Sequence, residues 1–194
     1  GPGDVVLNGF PLFHVAGAFV LAGSAFAAGA AILIPSKLGM RSKPFVRDYW
    51  QVVERYRVTL LSGGPTFVST LVGRPVENAD ISHVKALFGG GSPMPAGLAS
   101  AFETRFGVPI RSIYGMTETA GMISAIPRHA SRRQGSSGWR LPFSEVRAFG
   151  ALPNGNPDPD RPLTAGEHGL LAIRGPNVSP GYSDERLADQ ARMP

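Results

Sequence analysis

Cysteine is absent from this 194-residue chain, which excludes disulfide bridges, thiolate metal sites and a cysteine nucleophile. A chain without thiols is compatible with the cytoplasm, the location expected here. Charge is sparse as well. Asp, Glu, Lys and Arg make up 17% of the residues against an apolar share of 43%, which argues against disorder and for a globular protein with much buried surface. From Gly9 to Ser36 no residue carries a formal charge unless His14 is protonated. That run is long enough for a membrane span, but Ala and Gly dominate it and Pro35 interrupts it. It divides into a helix over Ala16 to Ala28 and a strand over Ala31 to Ile34, as in a buried α/β core, so no transmembrane segment is expected. No secretory leader is recognisable either, since the opening Gly-Pro-Gly has neither a basic region nor an initiator Met. Residues 1–3 read as a scar left by protease cleavage.

The charge that is present sums to +5, which raises the question of nucleic acid. The densest basic group (Arg128, His129, Arg132, Arg133 and Arg140) lies in a Ser/Gly-rich stretch that reads as a solvated loop, so no nucleic-acid partner is expected. A weak positive field would instead favour polyphosphate ligands.

Strand and helix signals alternate over roughly the first 115 residues. Val5 to Leu7 reads as a buried strand, followed by the Ala/Gly helix and the Ile32-Leu33-Ile34 strand. A helix from Pro44 to about Tyr56 would place Phe45, Tyr49, Val52 and Tyr56 on one face. Val58 to Leu61, Val84 to Phe88 and Ile110 to Ile113 read as strands. Between them, Pro65 opens a short helix, and Pro95 opens another that carries Leu98, Phe102 and Phe106 and closes at Gly107 and Pro109. Such alternation implies an α/β fold, a mostly parallel sheet flanked by helices over residues 4–126. Beyond about Ile126 helical periodicity disappears. Glu145 to Phe149 and Gly169 to Arg174 read as antiparallel strands joined by turns such as Asn154-Gly155-Asn156-Pro157, a partial β subdomain over residues 127–194. From Ser183 onward the chain reads as the start of a helix.

Gly89-Gly90-Gly91-Ser92 follows a strand and precedes a helix, where bare backbone can approach a ligand and unpaired N–H groups are on offer. Several known loops are excluded. A dinucleotide fingerprint and a hydrolase elbow both require Gly at position 94, which is Met, and no Gly-Lys-Ser/Thr ending makes a phosphate-binding Walker loop. Tyr114-Gly115-Met116-Thr117-Glu118-Thr119 lies after a strand, at the carboxyl edge where open α/β sheets bind ligands. It combines a flat ring, hydroxyls and a hard oxygen ligand suited to Mg²⁺. Read singly, Tyr114 is equally a buried strand-end aromatic, Thr117 a helix cap and His14 a core histidine.

In order along the chain, Pro11-Leu12-Phe13-His14-Val15-Ala16-Gly17, Thr59 to Thr66, Gly89 to Ser92, Tyr114 to Glu118, Gly135 to Gly138 with Glu145-Val146-Arg147, and Gly169 to Tyr182 resemble the adenylate-forming (AMP-binding) superfamily, and within it the large N-terminal domain of the acyl-CoA synthetases. The resemblance implies an ATP-dependent acid–thiol ligase, of a kind met in fatty acid metabolism. A carboxylic acid and ATP would give an acyl-adenylate, and coenzyme A would then displace AMP. It further implies that Gly89, Gly90, Gly91, Ser92 and Pro93 line the adenine side and Tyr114 stacks on the base, with Gly115 and Met116 beside it. Thr117 would contact the α-phosphate, and Glu118 would bind Mg²⁺. Phe13, His14, Gly17, Gly64, Gly91, Gly115 and Met116 would border the acyl pocket, and His14, Thr117 and Glu118 are the expected catalytic residues. The family's phosphate loop, ribose-binding Asp and lid Lys have no counterpart in residues 1–194, and Lys37, Lys43 and Lys85 sit in no matching motif. The chain is therefore expected to be an excised piece, inert alone. An adenylation domain that hands its acyl group to a carrier protein, and a non-catalytic binding module, are the alternatives.

Overall fold

The computed structural model describes residues 1–184. Among the described residues ten strands form two sheets, one of seven strands in the order β2-β1-β3-β4-β5-β6-β7 and one of three in the order β10-β8-β9. In the large sheet, β1 (Val5–Leu7), β2 (Ala31–Leu33), β3 (Leu60–Gly63), β4 (Ala86–Gly89) and β5 (Ile110–Met116) run parallel. β6 (Gly121–Ala125) and β7 (Trp139–Arg140) complete it antiparallel. The small sheet holds β8 (Glu145–Ala151), β9 (Pro157–Pro162) and β10 (Leu170–Arg174), all antiparallel. No helix among the described residues is long and apolar enough to cross a membrane.

The main core lies between the parallel strands and the helices α2 (Lys43–Arg47), α3 (Tyr49–Arg55), α4 (Pro65–Val72) and α5 (Ala96–Phe106). Leu7, Leu61, Leu87 and Ile110 from four adjacent strands meet Tyr49, Trp50, Val53, Val68 and Phe102, all fully or almost fully buried. Edge-on ring contacts join Phe45, Tyr49, Trp50 and Phe67, the geometry that aromatic quadrupoles favour. At the amino ends of β1, β3 and β4, Asp4 accepts hydrogen bonds from Thr59 and Lys85 at 2.8 and 2.6 Å, which ties the three strands together away from the ligand end.

Two helical expectations differ in detail. The helix expected from Pro44 to Tyr56 breaks at Asp48, which leaves helical geometry at φ −101°, ψ 25° and separates α2 from α3. Trp50 and Val53 are buried with Phe45 and Tyr49, while Tyr56, just past the end of α3, is exposed. Ser42 caps α2 by accepting the Phe45 N–H, and Gly107, at φ 66°, ends α5 in the left-handed conformation that glycine tolerates best. The expected Ala/Gly helix is π-helical over Ala16–Gly23 before a short α1 (Ser24–Ala27). Such wide turns cluster at functional sites, and this one borders the cavity described below. The reading of a helix start after Ser183 falls largely outside the described residues.

Candidate active site

The carboxyl ends of β1, β3, β4 and β5 converge on one edge of the large sheet, and the groups singled out in the sequence gather there. β5 extends to Met116, beyond the Ile113 expected, because β6 returns antiparallel and pairs with Tyr114, Gly115 and Met116. Between them Thr117–Thr119 forms one tight turn, closed by Ala120 and Gly121 at positive φ of 52° and 126°. The buried Thr119 hydroxyl holds the turn, accepting from the Met116 N–H at 3.2 Å and lying 3.0 Å from both the Met116 and Gly121 carbonyls. Gly115 is required by close approach: a Cβ there would overlap the Gly121 carbonyl and the Met122 backbone. The strand pairing shifts register between Tyr114 and Gly115, a bulge of the kind that re-aims side chains beside active sites.

Two cavities share the resulting wall. The smaller, about 270 Å³, lies under the π-helix and is lined by Val15, Val20, Leu21, Phe88, Ile113 and Met122 together with His14, Gly90, Gly91 and Thr117. The larger, about 690 Å³, opens between the two sheets and is bounded by Arg147 and Phe149 of β8, Leu171 to Arg174 of β10, and the Val178–Tyr182 segment. Tyr114, Met116 and Glu118 line both. A group in one cavity can therefore meet a group in the other across a single stretch of chain.

The segment after β10 straps this wall from the small sheet. The Asn177 side-chain amide donates to the Thr119 carbonyl at 2.9 Å, the Ser179 N–H donates to the Glu118 carbonyl at 2.7 Å, and the Tyr182 hydroxyl donates to Glu118 Oε1 at 2.6 Å. The phenol holds the Glu118 carboxyl below its ordinary pKa, and the carboxylate in turn raises that of Tyr182. No group of three or more His, Asp or Glu among the described residues could enclose a metal ion. A single ionised carboxylate still suits Mg²⁺, which commonly takes one or two protein carboxylates and completes its shell with phosphate and water.

The structure brings His14, Gly90, Gly91, Tyr114, Gly115, Met116, Thr117 and Glu118 onto the smaller cavity. Other residues singled out in the sequence lie elsewhere. Phe13 is 92% exposed, and Ser92 and Pro93 are on the surface. Gly64 sits behind the loop, beside the Gly90 carbonyl. Gly89 is buried within β4. Gly17 packs against the Pro11 carbonyl, and its own carbonyl accepts from the Asn8 amide at 2.9 Å. Asn8, unremarked in the sequence, is 1% exposed and also accepts the Phe10 N–H through Oδ1, so it fixes both ends of the loop that carries His14. The signal that could have found it is an amide directly after a buried strand. His14 Nδ1 accepts the Ala16 N–H at 3.1 Å, which assigns the ring proton to Nε2. The Tyr182–Glu118 bond was likewise beyond local sequence patterns.

Comparisons with known proteins identify the family. A family model described as AMP-binding enzyme matches residues 1–183. The marinolic acid–CoA ligase of Pseudoalteromonas sp. (strain SANK 73390) is 35% identical over 187 residues, which are 96% of this chain and 28% of that protein. The feruloyl-CoA synthase of Amycolatopsis sp. is 34% identical over 174 residues, 89% of this chain and 33% of that protein. ATP-bound MatB from Rhodopseudomonas palustris superposes with a TM-score of 0.76 at 27% identity, over 96% of this chain and 35% of that one. The anthranilate CoA ligase AuaEII, solved with anthranoyl-AMP, shares the fold with a TM-score of 0.81 at 20% identity, over 96% of this chain and 34% of that one. The chain thus spans about a third of the length of the curated relatives it matches. With a family match over nearly its whole length, the chain belongs to the AMP-binding enzyme family.

Proposed function

We propose that this chain carries the acid-activating site of an ATP-dependent acyl-CoA synthetase. The observation that carries the reading is the wall of Tyr114, Met116 and Glu118 shared by the smaller cavity, lined mainly by apolar side chains, and the larger one, which Glu145, Arg147 and Arg174 also line. An acid held in the first would present its carboxylate to a nucleotide held along the second. A carboxylate oxygen attacks the α-phosphorus of ATP, and the bond to pyrophosphate breaks. The thiolate of coenzyme A then attacks the acyl carbon of the adenylate and expels AMP.

Each residue has a role in this reading. The adenine ring stacks on Tyr114, which lines both cavities, with the backbone of Gly90 and Gly91 beside that residue on the smaller one. Thr117 offers its hydroxyl to the α-phosphate, and Glu118 would hold Mg²⁺. His14, Gly91, Gly115 and Met116 border the acyl group, with Gly17 and Gly64 behind that border. When bound, Mg²⁺ neutralises phosphate charge. Positioning and charge neutralisation supply most of such catalysis, so no protein nucleophile is needed. No lysine lines either cavity among the described residues, and Lys85 is paired with Asp4. The 194 residues alone are accordingly proposed to be inert.

The test is an assay of acid-dependent AMP release and thioester formation by the full polypeptide containing this chain. Release of AMP together with a coenzyme A thioester supports the reading. Adenylate formation without a thioester would favour a carrier-protein acceptor, and absence of both would refute the ligase assignment.

A further inference from the structure

Building on the ligase reading, we infer that the acid activated at this site is a monocarboxylate with an uncharged, apolar body, about the size of benzoate, with neither a second anionic group nor a long chain. Three features of the smaller cavity carry this inference.

The first is volume. About 270 Å³ corresponds to roughly nine water volumes at about 30 Å³ each, room for an acid of about that many non-hydrogen atoms. The second is closure. Leu21, at the floor, belongs to a buried cluster with Val6, Ala25 and Ala30, and Phe10 and Phe88 pack against that cluster. On the Leu21 side the lining is therefore the interior of the helix–sheet layer. Ser62, the buried hydroxyl on the lining, already donates to the Leu7 carbonyl at 2.7 Å.

The third feature is charge. Glu118 is the only fully charged side chain on this lining, and neither Lys nor Arg lines it among the described residues. The nearby Arg111 is committed to the Ala130 and Arg128 carbonyls. A second carboxylate or a sulfonate on the substrate would lie among apolar side chains with no Lys or Arg of the described residues beside it, which is unfavourable. An uncharged aryl or short alkyl body meets only surfaces that it matches.

Val20 is the residue on which to test this. It lines the smaller cavity and not the larger, and its Cγ2 lies beside Gly121, 3.0 Å from where a Cβ on that glycine would be. The experiment is ATP–pyrophosphate exchange by the full polypeptide with benzoate, hexanoate, hexadecanoate and malonate, repeated with Val20→Phe and Val20→Ala. Benzoate is expected to exceed malonate and hexadecanoate in kcat/KM by at least about tenfold. Val20→Phe should raise the KM for benzoate by about tenfold with the KM for ATP unchanged, and Val20→Ala should shift preference toward longer acids. Melting curves identify a variant that fails to fold, and the wild-type ranking then decides alone. Malonate or hexadecanoate at equal or greater efficiency would overturn the substrate class while leaving the ligase reading intact. Exchange with no acid at all would overturn both.

Discussion

Tyr182 donates a 2.6 Å hydrogen bond to Oε1 of Glu118 across 64 residues of sequence. The bond requires a protonated phenol and an ionised carboxylate. The Glu118 pKa is lowered, first by this hydrogen bond, so its contribution is present above the unfolded value of about 4.3 and is lost as pH falls through the folded value. The Tyr182 pKa is raised, first by the same bond, so on the alkaline side the contribution is present below about 10 and is lost as pH rises through the folded value. In Glu118→Gln the carboxylate no longer holds the phenol proton, and Tyr182 should titrate at lower pH. Tyrosinate absorbance, read as the difference from the same protein with Tyr182→Phe, checks this. An unchanged midpoint would mean that the bond does not persist in solution.

Gly115 and Gly91 are both glycines of the site, but for different reasons. At Gly115 a Cβ has no room against Gly121 and Met122, whereas at Gly91, with φ +85°, it would meet open space. Gly115→Ala should therefore prise β6 from β5 and cost about 1–3 kcal/mol. Gly91→Ala should cost only left-handed backbone strain, about 1 kcal/mol. Urea denaturation of the two variants gives the comparison. Equal losses would contradict the close-approach account.

Asn8→Ala leaves the Gly17 carbonyl and the Phe10 N–H without their buried partner. The expected loss is about 1–3 kcal/mol, seen as a lower urea midpoint. Because the loop from Phe10 to Gly17 carries His14, the variant should also raise the KM for the acid more than the KM for ATP.

How much of this was legible in the sequence depended on how far apart the partners lie. The parallel core was visible because buried strands such as Val5 to Leu7 and Ala86 to Phe88 are nearly all apolar, and because Pro44, Pro65 and Gly107 mark helix ends. The break at Asp48 was hidden, since the apolar spacing on either side also fits an unbroken helix. The π-helix was hidden because an Ala/Gly stretch that is apolar on all sides has no periodicity to betray its pitch. β9, Pro157–Pro162, was not expected from the sequence, and it contains three prolines. It is tolerated as a strand because it lies at the edge of its sheet, where missing N–H donors go unpunished. At the site, Tyr114 to Glu118 stood out as a local string, but the Asn8–Gly17, Ser179–Glu118 and Tyr182–Glu118 contacts are made by the fold and leave no local pattern.

The Asp4–Lys85 pair lies at the opposite end of the sheet from the cavities and should affect stability without affecting catalysis. Asp4 is held well below the usual carboxylate range, first by the hydrogen bond from Lys85. Its contribution is thus present above the unfolded value of about 3.9 and is lost as pH falls through the depressed folded value. In Lys85→Met the carboxyl moves back up, so the loss of Tm on acidification should begin at higher pH. Parallel Tm–pH curves for variant and wild type would contradict the assignment.

Glu118 provides the most direct test of the central claim, that acid and nucleotide meet at the shared wall. The measurement is Mg²⁺-dependent, acid-dependent ATP–pyrophosphate exchange by the full polypeptide, wild type against Glu118→Gln. The substitution keeps the shape of the side chain and removes the charge proposed to hold the metal. Exchange should fall by about 10²–10³-fold and require more Mg²⁺ for half-saturation. Exchange at the wild-type rate and the wild-type Mg²⁺ requirement would contradict the account.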